Sequence, residues 1–194
     1  AAFALLAQAT HRSVWSDRAQ EARGFVAAMW RADCACFAAG ARDDGVAING
    51  MPALDAQIWP LLALPNAAPW SDAFATSGRR LAAKPGPGFT YSAAGDGFWT
   101  EGTAQAALLA RLLGRRDDYA RLMAAVDARR APRGGYYATD DAKLPTGFGD
   151  PSDPSVQRYY YHLPHLAAAS WAALAERGFD PFTDAPALPS APPR

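Results

Sequence analysis

Gly97-Phe98-Trp99-Thr100-Glu101-Gly102-Thr103-Ala104-Gln105 runs without a break into Ala106-Ala107-Leu108-Leu109-Ala110-Arg111-Leu112-Leu113-Gly114. The second half has the Ala and Leu content of a strong helix, and Gly114 is placed to end it. A helix on a protein surface keeps a polar stripe. This one is apolar almost all round, which predicts that other helices enclose it. Its polar residues crowd the first turn, where Asp96 or Thr100 is the expected cap. Phe98, Trp99 and Glu101 therefore stand at the mouth of a buried helix.

Six further helical patterns flank it, over residues 1–10, 16–31, 54–64, 70–83, 117–130 and 163–177. Short turns follow the first, third and fifth helices, and long Gly- and Pro-rich connections follow the second, fourth and sixth. The odd helices are apolar throughout and the even ones amphipathic. This alternation predicts an all-α fold of helical hairpins, arranged as an α/α toroid or part of one. Its odd helices lie inside, and its long loops gather on one rim at their N-terminal ends. Within the connection 32–52, the pieces 34–38 and 46–48 are expected to pair as a hairpin, whereas 136–161 reads as loop. The domain spans 1–182, and the Pro-rich stretch 183–194 reads as a flexible tail.

The 194 residues are half apolar and one fifth charged, with a formal net charge of zero. That balance offers no electrostatic footing for nucleic acid, and no apolar run reaches the roughly 18 residues of a membrane span. Neither nucleic acid nor membrane is an expected partner. The opening Ala1-Ala2-Phe3-Ala4-Leu5-Leu6-Ala7 reads as a helix already under way rather than as the core of a signal peptide. No cofactor is expected: there is no Gly-rich phosphate loop, and His11, His162, His165, Cys34 and Cys36 show no metal-ligand spacing. Cys34 and Cys36, on one face of a short strand, read as inert buried thiols badly spaced for a mutual disulfide.

The rim geometry collects Asp55, Gln57 and Trp59 from the third helix and Trp99, Glu101 and Gln105 from the fifth. Tyr159, Tyr160, Tyr161, His162 and His165 come from the start of the seventh, and Tyr136, Tyr137, Asp140 and Asp141 from the last long loop. Carboxylates among Trp and Tyr suit sugars, because aromatic faces stack on pyranose rings while polar groups take hydroxyls. Two carboxylates also suit glycosidic cleavage, with Glu101 and Asp55 as the catalytic pair. Trp59, Trp99, Gln57, Gln105, Tyr160, His162 and His165 are the expected substrate contacts. A helix N-terminus lowers both carboxyl pKa values, which favours a base or nucleophile, and only a desolvating neighbour such as Trp99 restores an acid at Glu101. The competing reading makes both carboxylates plain dipole partners and the tyrosines plain packing.

Leu54-Asp55-Ala56-Gln57-Ile58-Trp59, Phe98-Trp99-Thr100-Glu101-Gly102-Thr103-Ala104-Gln105, Thr146-Gly147-Phe148-Gly149 and Gly178-Phe179-Asp180-Pro181-Phe182 resemble the carboxyl-terminal portion of the six-hairpin glycosidase-like proteins. The resemblance implies an (α/α)6 toroid, action on oligo- or polysaccharides, and catalytic carboxylates at inner-helix N-termini, which are the positions of Asp55 and Glu101. Seven helices in place of twelve leave three expectations: a missing amino-terminal segment completes the ring, a second chain completes it, or the fold is an open arc. Three function classes remain in view: a glycoside hydrolase, a non-catalytic helical repeat module binding glycan or a protein partner, and a sugar epimerase or isomerase using His165.

Overall fold

The computed structural model describes residues 1–42, 44–64, 67–150 and 152–183, so the expected tail lies, save Thr183, outside the described residues. Seven helices appear among them: α1 (Ala2–Thr10), α2 (Ser13–Ala28), α3 (Leu54–Ala63), α4 (Asp72–Arg80), α5 (Thr100–Leu112), α6 (Arg116–Asp127) and α7 (Leu166–Arg177). Short strands fill the long connections. β1 (Trp30–Arg31) pairs with β2 (Cys36–Phe37), β3 (Gly40–Ala41) with β4 (Ile48–Asn49), and β5 (Lys143–Gly149) with β6 (Gln157–Tyr161), all antiparallel. The chain is 47% helical and 17% strand, so the expected all-α class is wrong and the fold is mixed α/β.

The correction has a local cause. The stretch 136–161 reads as loop because Gly, Pro and Asp interrupt it, yet Leu144 and Thr146 alternate inward and Tyr159, Tyr160 and Tyr161 supply the aromatic run a strand favours. Gly147 takes φ 76°, and the register shifts between Pro145 and Gly149, so the glycine absorbs an irregularity that periodicity conceals. The expected pairing of 34–38 with 46–48 is replaced by two smaller hairpins. A tight turn at Ala35, with φ 48°, folds Cys36 back toward Arg31. The same turn brings the Cα atoms of Cys34 and Cys36 to 5.2 Å, and the two are joined as a disulfide rather than left as thiols.

The core is built on α5. Ten of its thirteen residues are buried, and it packs against α3, α6 and α7. Its N-cap is Trp99, which offers no side-chain cap, in place of the expected Asp96 or Thr100. Thr103 Oγ1 instead donates to the Trp99 carbonyl at 2.8 Å and accepts from the Phe89 amide. Gly102 permits the closest approach: a Cβ there would run into the Trp99 ring and lie 2.7 Å from Leu54 Cδ2. Gly114 (φ 72°) and Gly178 (φ 67°) turn the chain at the ends of α5 and α7. The α1–α2 hairpin differs, for neither helix buries a residue, and α1 is no inner helix.

Candidate active site

Backbone bonds gather the N-terminal ends of α3, α5 and α7. The Leu54 amide donates to Tyr91, Trp99 to Phe89, Thr100 to Ala138 and His165 to Tyr136. Each first turn is thereby anchored to a neighbouring connection, and the orphan donors of two helix starts are satisfied across elements. Asp55 and Glu101 hold the second position of α3 and α5, and His165 is the N-cap of α7. The matching offsets of Asp55 and Glu101, and the cap position of His165, bring these side chains to one place.

Glu101 is the centre of the cluster. Its side chain is 13% exposed, Gln105 Nε2 donates to its Oε1 at 3.3 Å, and His165 Nδ1 lies 3.8 Å from its Oε2. Burial, reinforced by the charge of Asp55, pushes its carboxyl up to about 7. Burial raises Asp55 as well, against the amide of Ala56, which donates to Oδ1 at 2.8 Å. Burial is the largest influence on both carboxyls and raises them, in place of the lowering expected from the helix ends. The charge of Asp55 also favours the proton on Glu101. Burial lowers His165. At 3.8 Å the His165 Nδ1 lies beyond hydrogen-bond reach of Glu101 Oε2.

Aromatic rings wall the carboxyls. Tyr91 meets Trp99 edge-on at 4.7 Å between centroids, and Tyr160 lies 5.5 Å from both. Tyr160 also faces His165 edge-on at 5.6 Å. Burial raises the Tyr91 phenol to about 12 and pushes Tyr160 higher, with Asp55 and Glu101 adding to both, so each keeps its proton as a donor. Four buried polar atoms here, Trp99 Nε1, Thr100 Oγ1, Gln105 Oε1 and His165 Nδ1, have no hydrogen-bond partner among the described residues. Buried polar atoms are nearly always bonded, so four together mark a region with donors and acceptors to spare.

Not every expected contact belongs to this cluster. Gln57 is locked beneath α3, accepting from the Phe37 amide at 2.7 Å and donating to the Phe37 carbonyl at 2.8 Å, so it is a clamp and not a ligand contact. Trp99 is fully buried and forms the floor, not a stacking platform. Trp59 packs on Trp171 and Phe182 and lines a separate apolar groove of 510 Å³, which reaches Asp55 but not Glu101. His162 stacks on Tyr137 at 4.0 Å, its Nδ1 2.7 Å from the Thr139 carbonyl. Asp140 pairs with Arg129, and the Tyr136 hydroxyl donates to Asp127.

The structure adds Tyr91, Phe148 and Arg158, the last close enough to lower both phenols. Phe89-Thr90-Tyr91 carries the signal for Tyr91, since an aromatic, β-branched, aromatic run after a Pro-Gly turn is a strand-like piece with one face inward. No group of three or more metal-ligating side chains occurs among the described residues, and no helix there is long and apolar enough to cross a membrane. No family model matches the chain, nor does any curated protein or solved structure.

Proposed function

We propose that the chain is a carbohydrate-active hydrolase that cleaves a glycosidic bond by carboxyl acid–base chemistry. The observation that carries the reading is a pair of carboxyls at two helix starts, Glu101 with only 13% of its side chain exposed and raised to about 7 by burial and by the charge of Asp55. Such a pair supplies a general acid for the leaving oxygen and a carboxylate for the base or nucleophile role. The half-buried Tyr91 and Tyr160, whose phenols keep their protons, and the half-buried His165 beside Glu101 suit a polyhydroxylated ligand. The resemblance of the Asp55 and Glu101 segments to six-hairpin glycosidase-like proteins supports the same reading.

The test is release of nitrophenol from a panel of nitrophenyl glycosides. Glu101→Gln is expected to lower kcat at least 100-fold with the fold intact, matching the usual worth of a general acid. In the wild type kcat falls as pH rises through about 7, as Glu101 loses its proton. A second reading, sugar epimerisation, draws on the 3.8 Å approach of His165 to Glu101, which places two acid–base groups side by side. Silencing by His165→Ala with full activity in Asp55→Asn selects that reading. Binding of oligosaccharide without turnover, unchanged in Glu101→Gln, removes both.

A further inference from the structure

The disulfide between Cys34 and Cys36 closes across Ala35, in the turn from β1 to β2. Its two sulfurs differ in setting. Cys36 is buried, and Arg80 in the last turn of α4 donates Nη1 to its Sγ at 3.4 Å. Cys34 is half-buried, at the outer edge of the turn. Ala35 between them takes φ 48°, a conformation disfavoured for a residue with a Cβ and one that the closed ring holds in place. The carboxylate at Asp33 is occupied by Arg31 at 2.9 Å, and Thr76 Oγ1 reaches the Cys34 carbonyl at 3.5 Å, tying the turn to α4.

We infer that this pair is a thiol–disulfide exchange site, at which a thiol reductant attacks Cys34 Sγ and Cys36 departs as a thiolate beside Arg80. The guanidinium bears on the departing sulfur, and exchange is faster when the leaving thiol is better stabilised as its anion. The attacking thiolate forms a bond to Cys34 Sγ, the Cys34–Cys36 bond breaks, and its electron pair stays on Cys36. A second reductant thiolate then attacks the reductant's own sulfur in the mixed disulfide. Cys34 is released and takes a proton from water. The protein gains two electrons and the reductant becomes a disulfide. The site adjoins the carboxyl cluster through β2, since Phe37 is the residue that Gln57 clamps at the start of α3.

The test exposes the full-length chain to reduced glutathione at pH 7.5, quenches with acid and maps adducts by peptide mass spectrometry. The expected product is a glutathione adduct on Cys34 of the folded protein. Arg80→Ala is expected to slow its formation about fivefold, while Arg80→Lys stays within about twofold of wild type. An adduct on Cys36, an equal or faster rate in Arg80→Ala, or modification only above the denaturation midpoint overturns the inference. A second measurement stands apart from exchange rates. In Cys34→Ser the free Cys36 thiol, followed by thiolate absorbance, is expected to titrate lower than in Cys34→Ser with Arg80→Ala added, because the guanidinium favours the thiolate. Equal titration in the two variants, or a lower one without Arg80, overturns the inference equally.

Discussion

Helices α1 and α5 are written in almost the same alphabet, Ala and Leu with an occasional polar residue, yet their fates are opposite. Ten of the thirteen residues of α5 are buried, and none of α1 is. The difference lies in their neighbours. α5 is flanked by α3, α6 and α7, whereas α1 lies mainly along α2, held by the stacked rings of Phe3 and Trp15 at 5.9 Å. Apolar composition says that a helix can be buried; it does not say which elements arrive to bury it. The chemistry follows the same division. Glu101 has a displaced pKa because α5 is enclosed, and no such group exists on α1.

The sharpest way to break this comparison is to disturb the closest approach on α5. Gly102→Ala puts a methyl into the Trp99 ring and against Leu54 Cδ2. Ala is worth about 1 kcal/mol more than Gly as a helix former, but overpacking a closed core costs about 1–3 kcal/mol and more when a ring must leave its place. Since Trp99 packs against Tyr91 and Tyr160, the ring cannot shift alone, and a net loss of about 2–3 kcal/mol is expected in urea unfolding. An unchanged midpoint would show that α5 is packed loosely and that its burial is not what orders the site.

The enclosure of α5 was legible in its missing polar stripe, but the same signal on α1 pointed to a burial that the structure does not show. The positions of Asp55 and Glu101 at helix starts were legible too, as was the turn at Gly114. The sign of their pKa shifts was not. Dipole and burial act in opposite directions, and only the depth of the side chain decides between them. Gln57 and Trp99 read as ligand contacts because residue type shows what a side chain can bond, not that the backbone of Phe37 already holds Gln57 or that Trp99 is buried. The β5–β6 sheet stayed hidden because Pro145 and Gly147 are breakers by type, and strand β5 tolerates them only through its irregular register.

A subtler effect separates burial of charge from loss of packing. The Glu101 carboxyl keeps its proton to about 7 when folded, against an ordinary value of 4.5. Between those values the unfolded chain has released the proton and the folded one has not, so stability falls as pH rises and the loss is complete above about 7. Glu101→Gln removes this penalty and leaves Gln105 an amide oxygen to bond. With some water still reaching the group, the variant is expected to be about 1–2 kcal/mol more stable than wild type at pH 8.5, and level with it at pH 4. A gap independent of pH would assign the difference to packing and remove the basis for a neutral acid at Glu101.

The smallest effect is expected where the comparison began. Leu5 and Phe25 are 40% and 52% exposed on the α1–α2 hairpin, so replacing each by Ser removes little apolar area from a buried place. The helix propensity of Ser costs about 0.5 kcal/mol at Leu5, and the remaining exposed contacts add a few tenths. Leu5→Ser and Phe25→Ser should therefore each move the unfolding midpoint by less than about 1 kcal/mol, with no dependence on protein concentration. A loss comparable to that of Gly102→Ala, growing as the protein is concentrated, would mean that these side chains are covered in solution by another copy of the chain. The two helices would then differ in where their partners come from, one from its own chain and the other from outside it, and no longer in whether they have any.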